Sequence, residues 1–250
     1  MRKEDFRRLF GSKPFILDGA AGTKLLDMGM PAGVCPEQWA SEHLEKVQQM
    51  HAGYIDAGAQ AIYSFTFGAN ETKLAEFGLK GSMRELNMRL CEAACETANG
   101  KALVGGDISP IGDFVQPFGE LPFKEAVMVY YHQARVLAEA GADFIIIETM
   151  IDIQNARAAL IGAQEACALP VCVTLSFDES GHTLTGSGPE VAATTLCALG
   201  ADAIGANCGI GPQAMAGVIE RLNAYSNVPV IAKPNAGLPT GEDMDADIYA

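Results

Sequence analysis

Several things are missing from this 250-residue sequence. No apolar run reaches the roughly 18 residues of a membrane span. Met1 to Phe10 mixes Arg, Lys, Glu and Asp without an apolar centre, so no secretory signal is expected. Positive charge is scarce: 17 Lys and Arg stand against 31 Asp and Glu, a net charge of −14, which argues against nucleic acid and anionic membrane as partners. There is one tryptophan, and aromatics make up 7%, although 49% of residues are apolar. The core must therefore be built from aliphatic and small side chains, which suits helices packed closely on a sheet. No Cys-x-x-Cys occurs, and Gly205-x-x-x-Gly209 lacks the Lys-Ser/Thr of a phosphate loop. The seven cysteines are odd in number and mostly lie in apolar patterns, which points to reduced thiols in a cytoplasmic protein.

What is present is a rhythm. Asp56-Ala57-Gly58-Ala59, Glu139-Ala140-Gly141-Ala142 and Ala198-Leu199-Gly200-Ala201 each end a helical pattern on glycine and lead into an apolar stretch. Helical periodicity covers about 2–10, 42–57, 82–98, 123–140, 154–166, 189–199 and 214–225. Strands are expected at 15–17, 59–67, 102–108, 144–148, 171–177, 203–207 and 228–233, with Asp18 to Thr23 a small-residue loop. Polar or reactive residues close nearly every strand: Asp18, Thr66, Asp107, Glu148, Ser176, Cys208 and Asn235. A ring of strand-end residues favours α/β architecture of the TIM (β/α)8 type over an open doubly wound sheet. Only seven βα units are counted, and Ala236 to Ala250 shows no strand pattern. The expectation is a barrel lacking its eighth βα unit, with two raw edges.

Each candidate residue has an ordinary explanation. A strand-end cysteine such as Cys208 is more often core than ligand. Asp18 before Gly-Ala-Ala-Gly-Thr reads as a helix cap or turn aspartate, or as a carboxylate that receives an ammonium beside backbone N–H groups that take a carboxylate. Glu148 closes the apolar run Phe144 to Ile147 and needs a partner, or its pKa rises. Cys91 and Cys95 share a helix face but sit in an apolar stripe, and Cys167, Cys172 and Cys197 also read as packing. None of the four histidines is assigned chemistry.

Together, Ile16-Leu17-Asp18-Gly19-Ala20-Ala21-Gly22-Thr23, Thr66-Phe67-Gly68-Ala69, Ile147-Glu148-Thr149, Asp152, Ser176 to Glu179, Thr185-Gly186, Asn207-Cys208 with Gly211-Pro212, and Pro234-Asn235-Ala236-Gly237-Leu238-Pro239 form an ordered set. In this set the chain resembles the homocysteine S-methyltransferase family, and within it the homocysteine-binding module of the cobalamin-dependent branch. The resemblance implies a TIM barrel over 15–250, C-terminally incomplete, after a helical extension at 1–14. It implies Zn2+ held by three thiolates, one matching Cys208 and two expected beyond Ala250, with Asn235 near the metal. Asp18 and Glu148 match acids that hold the amino group of L-homocysteine. The backbone of Gly19, Ala20, Gly22 and Thr23 matches its carboxylate site, and Asn207 and Asn235 are further expected substrate-binding residues, with Asn235 also a candidate metal ligand. Two departures stand out: Ser64-Phe65-Thr66-Phe67 replaces Thr-Asn-Thr-Phe, and Ala21 replaces a larger residue.

The implied chemistry is transfer of a methyl group from methylcobalamin to a zinc-activated homocysteine thiolate, giving methionine, with cobalamin and folate on other modules or subunits. The chain as given is expected to bind zinc weakly and to transfer little methyl alone. Two other readings stay open: a stand-alone homocysteine methyltransferase with another donor, and a non-catalytic, zinc-free barrel-like subunit.

Overall fold

A computed structural model of the chain describes residues 1–10 and 13–236. In order, its elements are α1 (Lys3–Arg7), α2 (Ala21–Asp27), α3 (Pro36–Glu42), α4 (Leu44–Asp56), β1 (Ala61–Tyr63), α5 (Glu71–Glu76), α6 (Met83–Ala98), β2 (Leu103–Ile108), α7 (Phe123–Glu139), β3 (Phe144–Met150), α8 (Ile153–Ala166), β4 (Val171–Leu175), α9 (Pro189–Ala198), β5 (Ala203–Asn207), α10 (Pro212–Tyr225) and β6 (Val230–Lys233). The six strands form one parallel sheet in sequence order. Consecutive parallel strands joined through helices are the repeating unit of α/β folds.

The three glycine phrases make the same turn. Gly58, Gly141 and Gly200 have φ of 103°, 98° and 83°. In each, the residue after the glycine donates its N–H to a helix carbonyl five residues back: Ala59 to Tyr54, Ala142 to Leu137, Ala201 to Leu196. A left-handed residue there satisfies the helix end and swings the chain into the next strand.

Strand alternation separates two cores. Ile62, Val104, Ile145, Ile147, Val171, Val173 and Ile204 point outward into the helical layer. Ala61, Tyr63, Phe144, Ile146, Cys172 and Ala203 form an inner cluster, with Leu17, Leu103 and Ile231 against it. This period-2 sorting is what strand geometry imposes when both faces are buried. Phe6 of α1 packs under the inner cluster, its ring 5.5 Å from that of Phe144. Fully buried Asp202, just before β5, accepts from Lys3 Nζ at 2.9 Å and Arg7 Nη2 at 3.1 Å, which fastens α1 to the N-terminal ends of the strands.

Three expectations change. The first strand is reduced to a parallel bridge between Leu17 and Ala61, supported by bonds from Gln60 N–H to Ile16 O and Asp18 N–H to Ala61 O. The strand expected over 59–67 is only Ala61–Tyr63, because Phe65 turns to φ 57°. The loop expected through Thr23 becomes helical at Ala21. Helices α3 and α5 had no clear periodicity to announce them. The sheet plus the Leu17 segment gives seven parallel segments. The expected lack of an eighth unit falls on residues 237–250, outside the described residues. Among the described residues no helix is long and apolar enough to cross a membrane.

Candidate functional site

The C-terminal strand ends bring together Asp18, Tyr63, Asp107, Glu148, Asn207, Cys208 and Lys233. The parity that buries Phe144 and Ile146 also places Glu148 on the inner face. The registers Asp107 with Ile146 and Asn207 with Lys233 put those residues on the same face.

Asn207 is the hub. Its Oδ1 accepts from Thr149 N at 2.9 Å and Thr174 Oγ1 at 2.7 Å. Its Nδ2 faces Thr149 Oγ1 at 2.7 Å, Glu148 Oε2 at 3.3 Å and Cys208 Sγ at 3.4 Å. One buried amide thus fixes the thiol relative to the carboxylate. The Cys208 N–H also donates to Lys233 O at 3.1 Å.

Backbone strain gathers at the same end of the sheet. Phe65, Thr149 and Cys208 have φ of 57°, 61° and 57°. Left-handed backbone costs a non-glycine residue about 1–3 kcal/mol and persists where the surroundings overdetermine it. At Thr149 the turn accompanies a register shift between Ile147 and Met150, and it aims the Thr149 N–H at Asn207.

The electrostatics centre on Lys233. Its Nζ lies 2.9 Å from Asp18 Oδ1 and 3.9 Å from the centroid of the Tyr63 ring. Burial opposes its charge, but Glu148, Asp18 and Asp107 more than offset this and hold its pKa up. Burial raises the pKa of Glu148, with Lys233 opposing and Asp18 adding. Asp107 is pushed well up by burial and then by Glu148. Burial and then Glu148 raise the Cys208 thiol, against the hydrogen bond with Thr149.

The other expected residues divide. Gly19 approaches Tyr54 closely, since a Cβ there would lie 2.8 Å from Tyr54 Cε1. Ala20 is the N-cap of α2, and its carbonyl accepts from Tyr54 Oη at 2.8 Å. Gly22 and Thr23 lie in the first turn of α2, which no side chain caps. They lie four and five residues after Asp18 in the sequence. Asn235 follows β6, its N–H donating to Ile210 O at 3.2 Å. Among the described residues no three His, Cys, Asp or Glu side chains group to hold a metal ion. The described donor set is Cys208, and it does not make a zinc site by itself.

Lys233, Tyr63 and Asn207's role as hub were not legible as such. A lysine closing an apolar strand was the available signal for Lys233. Asp107 stood among the strand-end residues but was given no role. Cys91 and Cys95 pack as expected, their sulfurs against Leu137 O and Gly141 O.

The homocysteine S-methyltransferase family model matches residues 15–250. The chain is 28% identical to methionine synthase of Mycobacterium leprae and 29% identical to that of Mycobacterium tuberculosis, in each case over 94% of this chain and 21% of the relative. It therefore spans about a fifth of the length of these curated relatives. Among solved structures it is similar to the metallated form of the homocysteine methyltransferase MmuM from Escherichia coli, with a TM-score of 0.80, 20% identity, and coverage of 93% of this chain and 87% of that one.

Proposed function

Because the chain belongs to the homocysteine S-methyltransferase family, we propose that its strand-end site binds L-homocysteine and presents the sulfur for methylation to methionine. The observation that carries this reading is the Asn207 bridge, which sets a thiol, Cys208, beside a buried carboxylate, Glu148, among further acids. An amino acid with a terminal thiol has an ammonium for the acids and a sulfur for the thiol side. The first turn of α2 next to Asp18 offers N–H groups to the substrate carboxylate.

Cys208 is assigned as one zinc ligand, with Asn235 a candidate for a further one; all seven cysteines are among the described residues and no other groups with Cys208, so the two further thiolates of this reading are not supplied by residues 1–250. Zinc, when bound, supplies the charge that keeps a sulfur as thiolate, since a free alkyl thiol with pKa near ~8.5 is mostly protonated at neutral pH. The residues in hand do the rest. Glu148 orients the amino group, Asp18 lines the same side of the pocket where Lys233 and the Tyr63 N–H hold it, and Asn207 fixes Cys208 against Glu148. The methyl donor is assigned as methylcobalamin on another module or subunit, alongside a folate-binding one, because nothing in the described residues houses either. All seven cysteines are free thiols, which fits a reducing cytoplasm.

The test is calorimetric titration of L-homocysteine, with Zn2+ in the buffer, into the chain and its C208A variant. Wild type is expected to bind more tightly than C208A. Equal homocysteine binding by C208A would remove the reading.

A further inference from the structure

Three carboxylates, Asp18, Asp107 and Glu148, act electrostatically on the ammonium of Lys233, and they are not equally available. Asp18 is engaged through both oxygens: Oδ2 accepts from Tyr63 N at 2.7 Å and Oδ1 from Lys233 Nζ at 2.9 Å. Lys233 is itself held over the Tyr63 ring, 3.9 Å from its centroid, so this pair is anchored twice to one residue. Asp107 is the opposite case. Its backbone N–H is fixed by Ser64 Oγ at 3.1 Å and its carbonyl by Thr66 Oγ1 at 2.8 Å. Its side chain is 5% exposed, lies on the inner face, and leaves Oδ1 buried with no partner among the described residues. Glu148, on the neighbouring strand, is held there by one long bond, from Asn207 Nδ2 at 3.3 Å.

A buried acceptor without a partner is costly, more so when it is charged and near like charges. Here the imbalance is local and oriented. One cation faces three acids, and the unpartnered oxygen is on β2, next to the strand that carries Glu148.

We propose that Asp107 is a substrate-contacting residue, taking the ammonium of the amino-acid substrate together with Glu148, while Lys233 holds Asp18 as the wall of the pocket. A primary ammonium has three N–H donors and no acceptor, so it can serve two carboxylates at once. Glu148 lies between the two ends of the ligand: Asp107 on one side and, through Asn207, Cys208 on the other. The ammonium then sits toward β2 and the sulfur toward β5. This inference rests on the reading of the site as a homocysteine site and specifies which acids select its amino group.

The alternative is that Asp107 carries a proton and serves only as a neutral packing group. An amide at this position mimics that state, so D107N separates the two. The experiment compares binding of L-homocysteine and of its des-amino analogue, 4-sulfanylbutanoate, to the chain and to D107N, with D107S as a second variant. Thermal melting reports on folding. Wild type is expected to prefer the amino thiol. In D107N that preference falls by about tenfold or more, through weaker homocysteine binding, with the analogue unchanged. An unchanged preference in both variants, or equal weakening of both thiols, overturns the role of Asp107 and leaves the homocysteine reading standing. Absence of any preference in wild type overturns both.

Discussion

The Lys233 ammonium lies 2.9 Å from Asp18 Oδ1, joining the end of β6 to the segment that bridges to β1 across 215 residues of sequence. No backbone ladder among the described residues connects these two edges. The pair therefore ties the two edges together as well as charging the site. Removing one partner of a buried ion pair strands the other charge, which typically costs about 3–5 kcal/mol. K233M is expected to lose stability on that scale, and D18N less. The double variant should lose clearly less than the sum of the two, as coupled partners do. Urea unfolding of the four proteins measures this, and strict additivity would show that the contact carries no coupling.

The inner face leaves little room where two of its glycines sit. A Cβ on Gly105 would lie 2.7 Å from Phe144 Cζ, whereas one on Gly205 would meet the backbone carbonyl of Ile231 on the next strand. A ring can be trimmed, but a paired backbone cannot. G105A is expected to destabilise by about 1–3 kcal/mol, the range for overpacking, and the added F144L should recover part of that loss. G205A should cost more and gain nothing from shortening Ile231. Equal behaviour of the two glycine variants in denaturant melts would contradict this account.

Much of this architecture was written in local chemistry. The helix–glycine–strand phrases placed α4, α7 and α9 and the strands after them because a left-handed glycine is a local demand. The central strands, deeply buried on both faces, read as apolar runs. The edge was harder. Phe15 to Leu17 forms a bridge rather than a strand, and β1 stops at Tyr63 because Phe65 turns left-handed, a conformation that Asn adopts more readily than Phe. At the site, Asp18, Glu148, Asn207 and Cys208 were legible as strand ends. Their mutual arrangement was not, since it depends on register: Lys233 meets Asp18, and Asn207 meets Glu148, through strands that close in space and not in sequence.

His51 in α4 is fully buried, and neither ring nitrogen has a hydrogen-bond partner among the described residues. Burial lowers its pKa from 6.5 to about 4. The sign follows from linkage: the unfolded chain binds the proton more readily than the folded one, so the neutral-His contribution is complete above pH 6.5 and is lost as pH falls toward 4. Wild type is expected to lose up to roughly 3 kcal/mol more than H51L over that interval. Because the imidazole has no partner to forfeit, H51L should match or exceed wild type at pH 7. Chemical denaturation at pH 7, 6, 5 and 4 tests both points, and parallel pH profiles would show that His51 does not titrate with unfolding.

Residues 1–14 read as an extension, yet α1 behaves as the floor of the inner core. Phe6 stacks near Phe144 and Phe10, with centroids 5.5 and 4.9 Å apart, and Lys3 and Arg7 meet an aspartate with no solvent exposure. Asp202 also accepts from Val171 N at 3.0 Å, so its charge is tied to the start of β4 whether or not α1 is present. Deleting residues 1–10 would then do two separable things: uncover apolar surface at Phe144 and leave the Asp202 charge without its cations. An asparagine at 202 keeps a carbonyl for Val171 and removes the charge. In the undeleted chain D202N is expected to destabilise, because two cations lose their carboxylate. In the deleted chain the same substitution should be neutral or stabilising, because no cation is left to lose. The reversal of sign, read from denaturation midpoints of the four proteins, is specific to an electrostatic strap, whereas equal effects in both backgrounds would mean that α1 acts through Phe6 packing alone.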